Sequence, residues 1–119
     1  MENKKEEITF YEELIKDNPD FIQALIVLAE LYTHNGLYEK GLKIDKRLSE
    51  IKPYDPIVHY NLACSFSLTG NLDDSLRALK KAVLLGYGDF EYILEDEDLS
   101  NLRRTDDFKT LFSKLERVR

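Results

Sequence analysis

Apolar residues recur at helical spacing in five successive stretches, each closed by a glycine or a proline. Residues 4–17 place Ile8, Tyr11, Leu14 and Ile15 three and four apart, on one face of a helix. Asn18-Pro19-Asp20 breaks that pattern. Asp20, with Gln23 three positions on, reads as a capping box opening a second helix over 21–34. That helix is apolar on most sides (Leu25, Ile26, Val27, Leu28, Ala29, Leu31, Tyr32), which predicts that it is covered on more than one side. Gly36 ends it. A third helix over 38–52 turns Tyr38, Leu42, Leu48 and Ile51 inward and stops at Pro53. Asp55-Pro56 is an N-cap followed by a first-turn proline, and it starts a fourth helix over 56–68 that ends at Gly70. Asn71 caps a fifth over 72–85, closed by Gly86 and Gly88.

The stretches are related to one another. Leu28-Ala29-x-x-Tyr32-x-x-x-Gly36 returns as Leu62-Ala63-x-x-Phe66-x-x-x-Gly70, every position 34 residues on. Pro19 and Pro53 are separated by the same interval, as are Leu14, Leu48 and Ala82. A period of this length marks a helical repeat. The chain then divides into an N-terminal half repeat over 4–20, full repeats over 21–54 and 55–88, and a segment over 89–119 that leaves the register. Ala29 and Ala63 are small enough to let a paired helix approach, while Tyr32 and Phe66 fill the space between one pair and the next.

These residues resemble the tetratricopeptide repeat family in period, glycine, aromatic and proline positions, over roughly residues 5–87. The resemblance implies an all-α fold, a right-handed array of antiparallel helix pairs. Three features depart from the family pattern. His59 stands where a large residue is usual, Gly41 and Ser75 replace alanine, and Asp45 occupies a common aromatic position, which predicts a looser third helix. The segment Asp96-Glu97-Asp98-Leu99-Ser100-Asn101-Leu102-Arg103, followed by Phe108 and Phe112, is similar to the tail that closes many bacterial arrays of this kind. It predicts short helical turns over 89–102 and a capping helix over 105–117, with Thr105 as N-cap and Asp106 and Asp107 at its positive end. Leu99, Leu102, Phe108 and Phe112 are the expected contacts to the last repeat.

Composition narrows the function. A net charge of −6 disfavours nucleic acid as a partner, because phosphate binding needs a basic surface. The charged start of the chain, from Met1, lacks a signal-peptide core, and no apolar run approaches the roughly 20 residues that span a bilayer. A lone cysteine, Cys64, fits a reducing compartment, so a cytoplasmic location is expected. Cys64 has no base at a useful helical position, and His34 and His59 lack metal-pair spacing. The acids from Glu95 to Asp98 lack the ligand alternation of a calcium loop and read as a solvated turn. No catalytic, cofactor or metal residues are assigned.

The family resemblance implies that the first helix of each repeat lines a concave face. The corresponding positions are Gln23, Ile26, Val27, Glu30, Thr33 and His34 in one repeat, and Ile57, Tyr60, Asn61, Cys64, Ser67 and Leu68 in the other. Such a strip suits an extended segment or a helix of a partner protein. The alternative is that its apolar residues are covered by the chain's own tail or by a second copy. A carboxylate clamp known in some family members is disfavoured: Asn61 matches it, but Ile26 and Glu30 stand where it needs Lys and Asn. The expected function is a non-catalytic adaptor or scaffold. Its rivals are a self-assembly module and a regulatory or targeting domain of a larger protein. Tyr60 and Asn61 are expected to serve recognition without contributing to stability.

Overall fold

The computed structural model describes residues 4–118; Met1 to Asn3, and Arg119 at the end of the capping segment, lie outside the described residues. Five helices carry the repeat pattern: α1 (Lys4–Asp17), α2 (Ile22–His34), α3 (Tyr38–Ile51), α4 (Pro56–Leu68) and α5 (Leu72–Leu84). A compact tail follows, with α6 (Phe90–Glu95), a 3₁₀ turn (Glu97–Leu99), α7 (Ser100–Arg103) and α8 (Asp106–Val118). Each helix from α1 to α5 packs on the next, and the 3₁₀ turn and α7 return to lie against α4. The fold is an all-α array of antiparallel helix pairs with a helical C-terminal cap, 46 × 28 × 23 Å overall.

The 34-residue period has a direct backbone cause. α2 and α4 start 34 residues apart, and so do α3 and α5. Gly36 and Gly70 both take left-handed φ values, 75° and 80°. There a Cβ would be strained, so glycine reverses the chain at least cost. Gly86 repeats the device at φ 115°; Gly88 does not take a left-handed φ, so the fifth helix is ended by Gly86 alone.

Helix starts follow the sequence less uniformly. Asp55 caps α4 through its carboxylate, which accepts from the Ile57 and Val58 amides at 2.9 and 3.4 Å. Thr105 caps α8 by accepting from the Phe108 amide at 3.1 Å. The expected capping box at Asp20 and Gln23 does not form. Phe21 occupies the N-cap position without a side-chain bond, and Asp20 instead pairs with Arg47 of α3. A guanidinium across the helix pair offers the carboxylate a charge-assisted partner, which a neutral amide does not match. Asn71 sits at the N-cap of α5, but its side-chain amide donates to Thr69 Oγ1 at 2.8 Å rather than capping the helix.

Small residues set the helix spacing. A Cβ at Gly41 would come within 3.2 Å of Thr33 Oγ1, so α3 approaches α2 closely there. The equivalent Ser75 is fully buried and donates its hydroxyl to the Ala63 carbonyl at 2.7 Å, joining α5 to α4. Asp45 does not loosen α3, which runs unbroken from Tyr38 to Ile51. Its carboxylate is buried and accepts from the Ser65 hydroxyl of α4. Tyr32 donates to Glu12, tying α2 to α1.

The main core lies between α4, α5 and the tail, where Ala63, Leu79 and Ala82 meet Ile93, Leu99, Leu102, Phe108 and Phe112. The four tail residues expected to make this contact are all buried. Phe108 and Phe112 stack at 5.6 Å between ring centroids. A smaller cluster of Leu25, Leu48 and Val58 joins α2, α3 and α4. Leu102→Ala should therefore cost about 2–5 kcal/mol in urea unfolding, whereas Val118→Ala, on an exposed position, should change stability by less than about 0.5 kcal/mol. Equal effects at the two positions would contradict this placement of the core.

Candidate functional site

The concave face is split into a closed half and an open half. The closed half is where the tail crosses α4. Asp96, between α6 and the 3₁₀ turn, is itself buried. One of its carboxylate oxygens accepts from the Tyr60 hydroxyl at 2.7 Å and from the Cys64 thiol at 3.6 Å. The other accepts from the Asp98 amide at 3.0 Å and so starts the 3₁₀ turn. Arg103 donates to the carbonyls of Ile93 (2.9 Å) and Asp96, locking the turn from behind. Tyr60 stacks flat on Tyr87, centroids 4.2 Å apart. Ser67 is also covered: its hydroxyl accepts from the Leu102 amide at 3.2 Å, and its carbonyl accepts from the Asn101 side chain at 3.1 Å.

Three residues expected on an open groove therefore lie beneath the tail. Tyr60 is 4% exposed, and Cys64 and Ser67 are likewise buried. The family resemblance implies that they lie open on the concave face, but a repeat pattern carries no information about a segment that folds back from more than 30 positions away. Tyr60 is consequently structural, contrary to the expectation that it acts only in recognition. Burial pushes its phenol well above the ordinary range, with the hydrogen bond to Asp96 and the charge of that carboxylate adding to the effect. Burial likewise holds Cys64 well above a usual thiol, with Asp96 and Asp98 adding, which keeps it protonated and a poor nucleophile. The turn from Glu95 to Asp98 is not simply solvated: Glu95 and Glu97 are exposed, but Asp96 is an internal bonding centre.

The open half is a cleft of about 360 Å³ between α2, α4 and the edge of the tail. Ile26, Glu30, Thr33 and His34 line it from α2, and Ile57, Asn61 and Leu68 from α4, with the buried Tyr60 and Cys64 bordering it where the tail begins. Gln23 and Val27 lie outside it. Ile57 is 54% exposed, with Ile26 and Tyr92 of α6 also exposed beside it. Sequence reasoning missed several contributors, among them Asp45 at the floor and the tail residues Tyr92, Asp96 and Asp98 at the edge. His59 is not part of the cleft lining. It is buried, with its Nε2 2.8 Å from the Pro53 carbonyl. Among the described residues no group of three His, Cys, Asp or Glu side chains is arranged to hold a metal ion.

Asp45 is the cleft's unusual group. Burial pushes its carboxyl up to about 6; the Ser65 hydroxyl opposes that shift and the nearby Glu30 charge adds to it. Asp98 is also raised, first by burial and then by Asp96, with His34 acting in the opposite sense.

No family model matches the chain. Over 88 residues, 71% of the chain, it is 33% identical to a chloroplastic protein from Arabidopsis thaliana; the matched stretch covers 26% of that relative. Among solved structures it resembles MamA 41-end from Desulfovibrio magneticus RS-1 with a TM-score of 0.69. That match covers 98% of the chain and 68% of the MamA chain at 18% identity. The likeness to MamA, a tetratricopeptide-type helical repeat protein, establishes the same type of fold here.

The buried clasp and the raised acid each lead to a stability prediction. Tyr60→Phe should cost about 1–3 kcal/mol, because it leaves the buried Asp96 carboxylate short of a donor. Tyr60→Ala should cost more and Asn61→Ala, on an exposed position, very little; equal losses would contradict the buried role of Tyr60. For Asp45, the folded pKa lies above its ordinary value, so its contribution is full below about pH 3.8 and is lost as pH rises through about 6. The difference corresponds to about 3 kcal/mol. Asp45→Asn should gain stability over the wild type across that window and hold the gain, up to about that size, at pH 7. A wild-type-minus-variant difference in unfolding free energy that is flat from pH 4 to 7 would contradict it.

Proposed function

We propose that this protein is a non-catalytic interaction module that docks a segment of a partner protein in the open half of its concave face. The observation that carries the reading is the cleft itself. Exposed Ile26 and Ile57 line one cleft that the tail borders without covering them, with Glu30 and Asn61 alongside as hydrogen-bonding groups. Exposed apolar residues grouped in a concavity mark contact surfaces, and an array of rigid helices presents them with little ordering cost. The division into a half repeat over 4–20, repeats over 21–54 and 55–88, and a capping segment over 89–119 supports the same reading, since each full repeat adds one helix to the concave face. No described helix is long and apolar enough to cross a membrane. A single buried thiol suits a reducing aqueous compartment, and the cytoplasm is our reading.

A second reading has its own support. The chain spans about a quarter of the length of the curated relative it matches, so in that protein a unit of this kind is one part of a larger whole. The module would then recruit or position a larger protein, through the same cleft.

The test is affinity capture from an extract with wild type and with Ile57→Glu. Ile57 is exposed, so the variant should keep its melting temperature within a few degrees and lose the partner. Undiminished capture by the folded variant would show that the cleft is not the docking site. Light scattering over a concentration series addresses self-assembly; a monomer throughout is the outcome expected.

A further inference from the structure

The cleft's chemistry narrows its occupant. Acidic groups reach it from three elements: Glu30 from α2, Asp45 from α3, and Asp98 from the 3₁₀ turn of the tail. The other charged groups facing it do not neutralise this set. Lys52 is paired with Asp55 at 3.4 Å, Asp96 is turned to Tyr60 and Cys64, and His34 is the remaining basic group, next to Asp98. The acids are spread along the cleft rather than gathered around one point, and none of the described residues form a metal-binding cluster. Dispersed carboxylates above an aliphatic wall match an elongated organic cation, whose alkyl stem lies on apolar surface while its charged head reaches the acids. Asp45 adds a specific incentive. It is a carboxylate withdrawn from water near a second negative charge, and a cation brought beside it would offset that cost.

We propose that the open cleft takes a basic segment of a partner protein, with a lysine or arginine side chain projecting between Glu30, Asp45 and Asp98 and an aliphatic neighbour lying on Ile26 and Ile57. The proposal rests on the docking reading and supplies the chemistry of its occupant. The charge complementarity also sets how the partner arrives: an acidic cleft in an acidic protein steers basic segments and repels acidic ones, and added salt weakens both effects.

The experiment is selection from a phage library displaying random 12-residue peptides, followed by calorimetry with the enriched peptides. Wild type should enrich sequences in which a lysine or arginine adjoins an aliphatic residue. Those peptides should bind Glu30→Gln/Asp98→Asn at least about tenfold more weakly, and bind wild type more weakly at 300 mM than at 50 mM NaCl. Glu30→Gln alone, at an exposed position, keeps the test in force if the double variant does not fold. Enriched peptides without basic residues that are lost on Ile57→Glu would overturn the basic-segment inference and leave the docking reading standing. Peptides that bind Ile57→Glu as well as wild type, or no enrichment at all, would overturn both. A dimer that closes the cleft would overturn the basic-segment inference too.

Discussion

The hydrogen bond from Tyr60 to Asp96 is where the repeat array and its tail become one structure. It joins α4 to the start of the 3₁₀ turn across 36 positions of sequence, between two side chains that are both largely buried. A carboxylate in such a place is costly unless its oxygens are occupied. Here they are, by a phenol, a thiol and a backbone amide. Arg103 then fixes the turn by gripping the carbonyls on its far side. Once the turn is held, Leu99 and Leu102 can only enter the core, and α8 follows with Phe108 and Phe112.

The same bond decides what the concave face can do. By pinning the tail over Tyr60, Cys64 and Ser67, it buries most of their surface, leaves Tyr60 and Cys64 only at the inner border of the cleft and sets Tyr92 and Asp98 as a new edge. The cleft is thus composite, with walls from α2 and α4, a floor from Asp45 of α3 and an acidic rim from the tail. The chain covers part of the strip expected to be open and leaves the rest exposed.

The fold was legible to the extent that it is local. A left-handed glycine, a capping aspartate before proline and a run of apolar residues at helical spacing are each written within a few positions, and they fixed the five repeat helices to within one or two residues. The choices that escaped are those settled between helices. Asp20 was readable as a cap until Arg47 became its neighbour. Asp45 looked like a defect in α3 because its partner, Ser65, is 20 residues away on another helix. Tyr60 looked like a recognition residue because nothing in the repeat period encodes what a non-repeating tail lies upon. The tail's own Asp-x-Asp-Leu-x-x-Leu-Arg pattern did hold the signal, since Asp96, Leu99, Leu102 and Arg103 are its bonding and packing residues.

Cys64 offers a direct reading of this arrangement, because it is the chain's single thiol and lies beneath the tail beside Asp96. The decisive measurement is the rate at which an excess of an aromatic disulfide reagent modifies the native protein, compared with the unfolded chain. If the tail closes this half of the concave face, native Cys64 should react slowly, at a rate set by opening of the tail, and should accelerate in Asp96→Asn, while the denatured protein reacts at once. Immediate stoichiometric modification of the native protein would show that the face is open at α4, and that the clasp between Tyr60 and Asp96 does not organise the molecule.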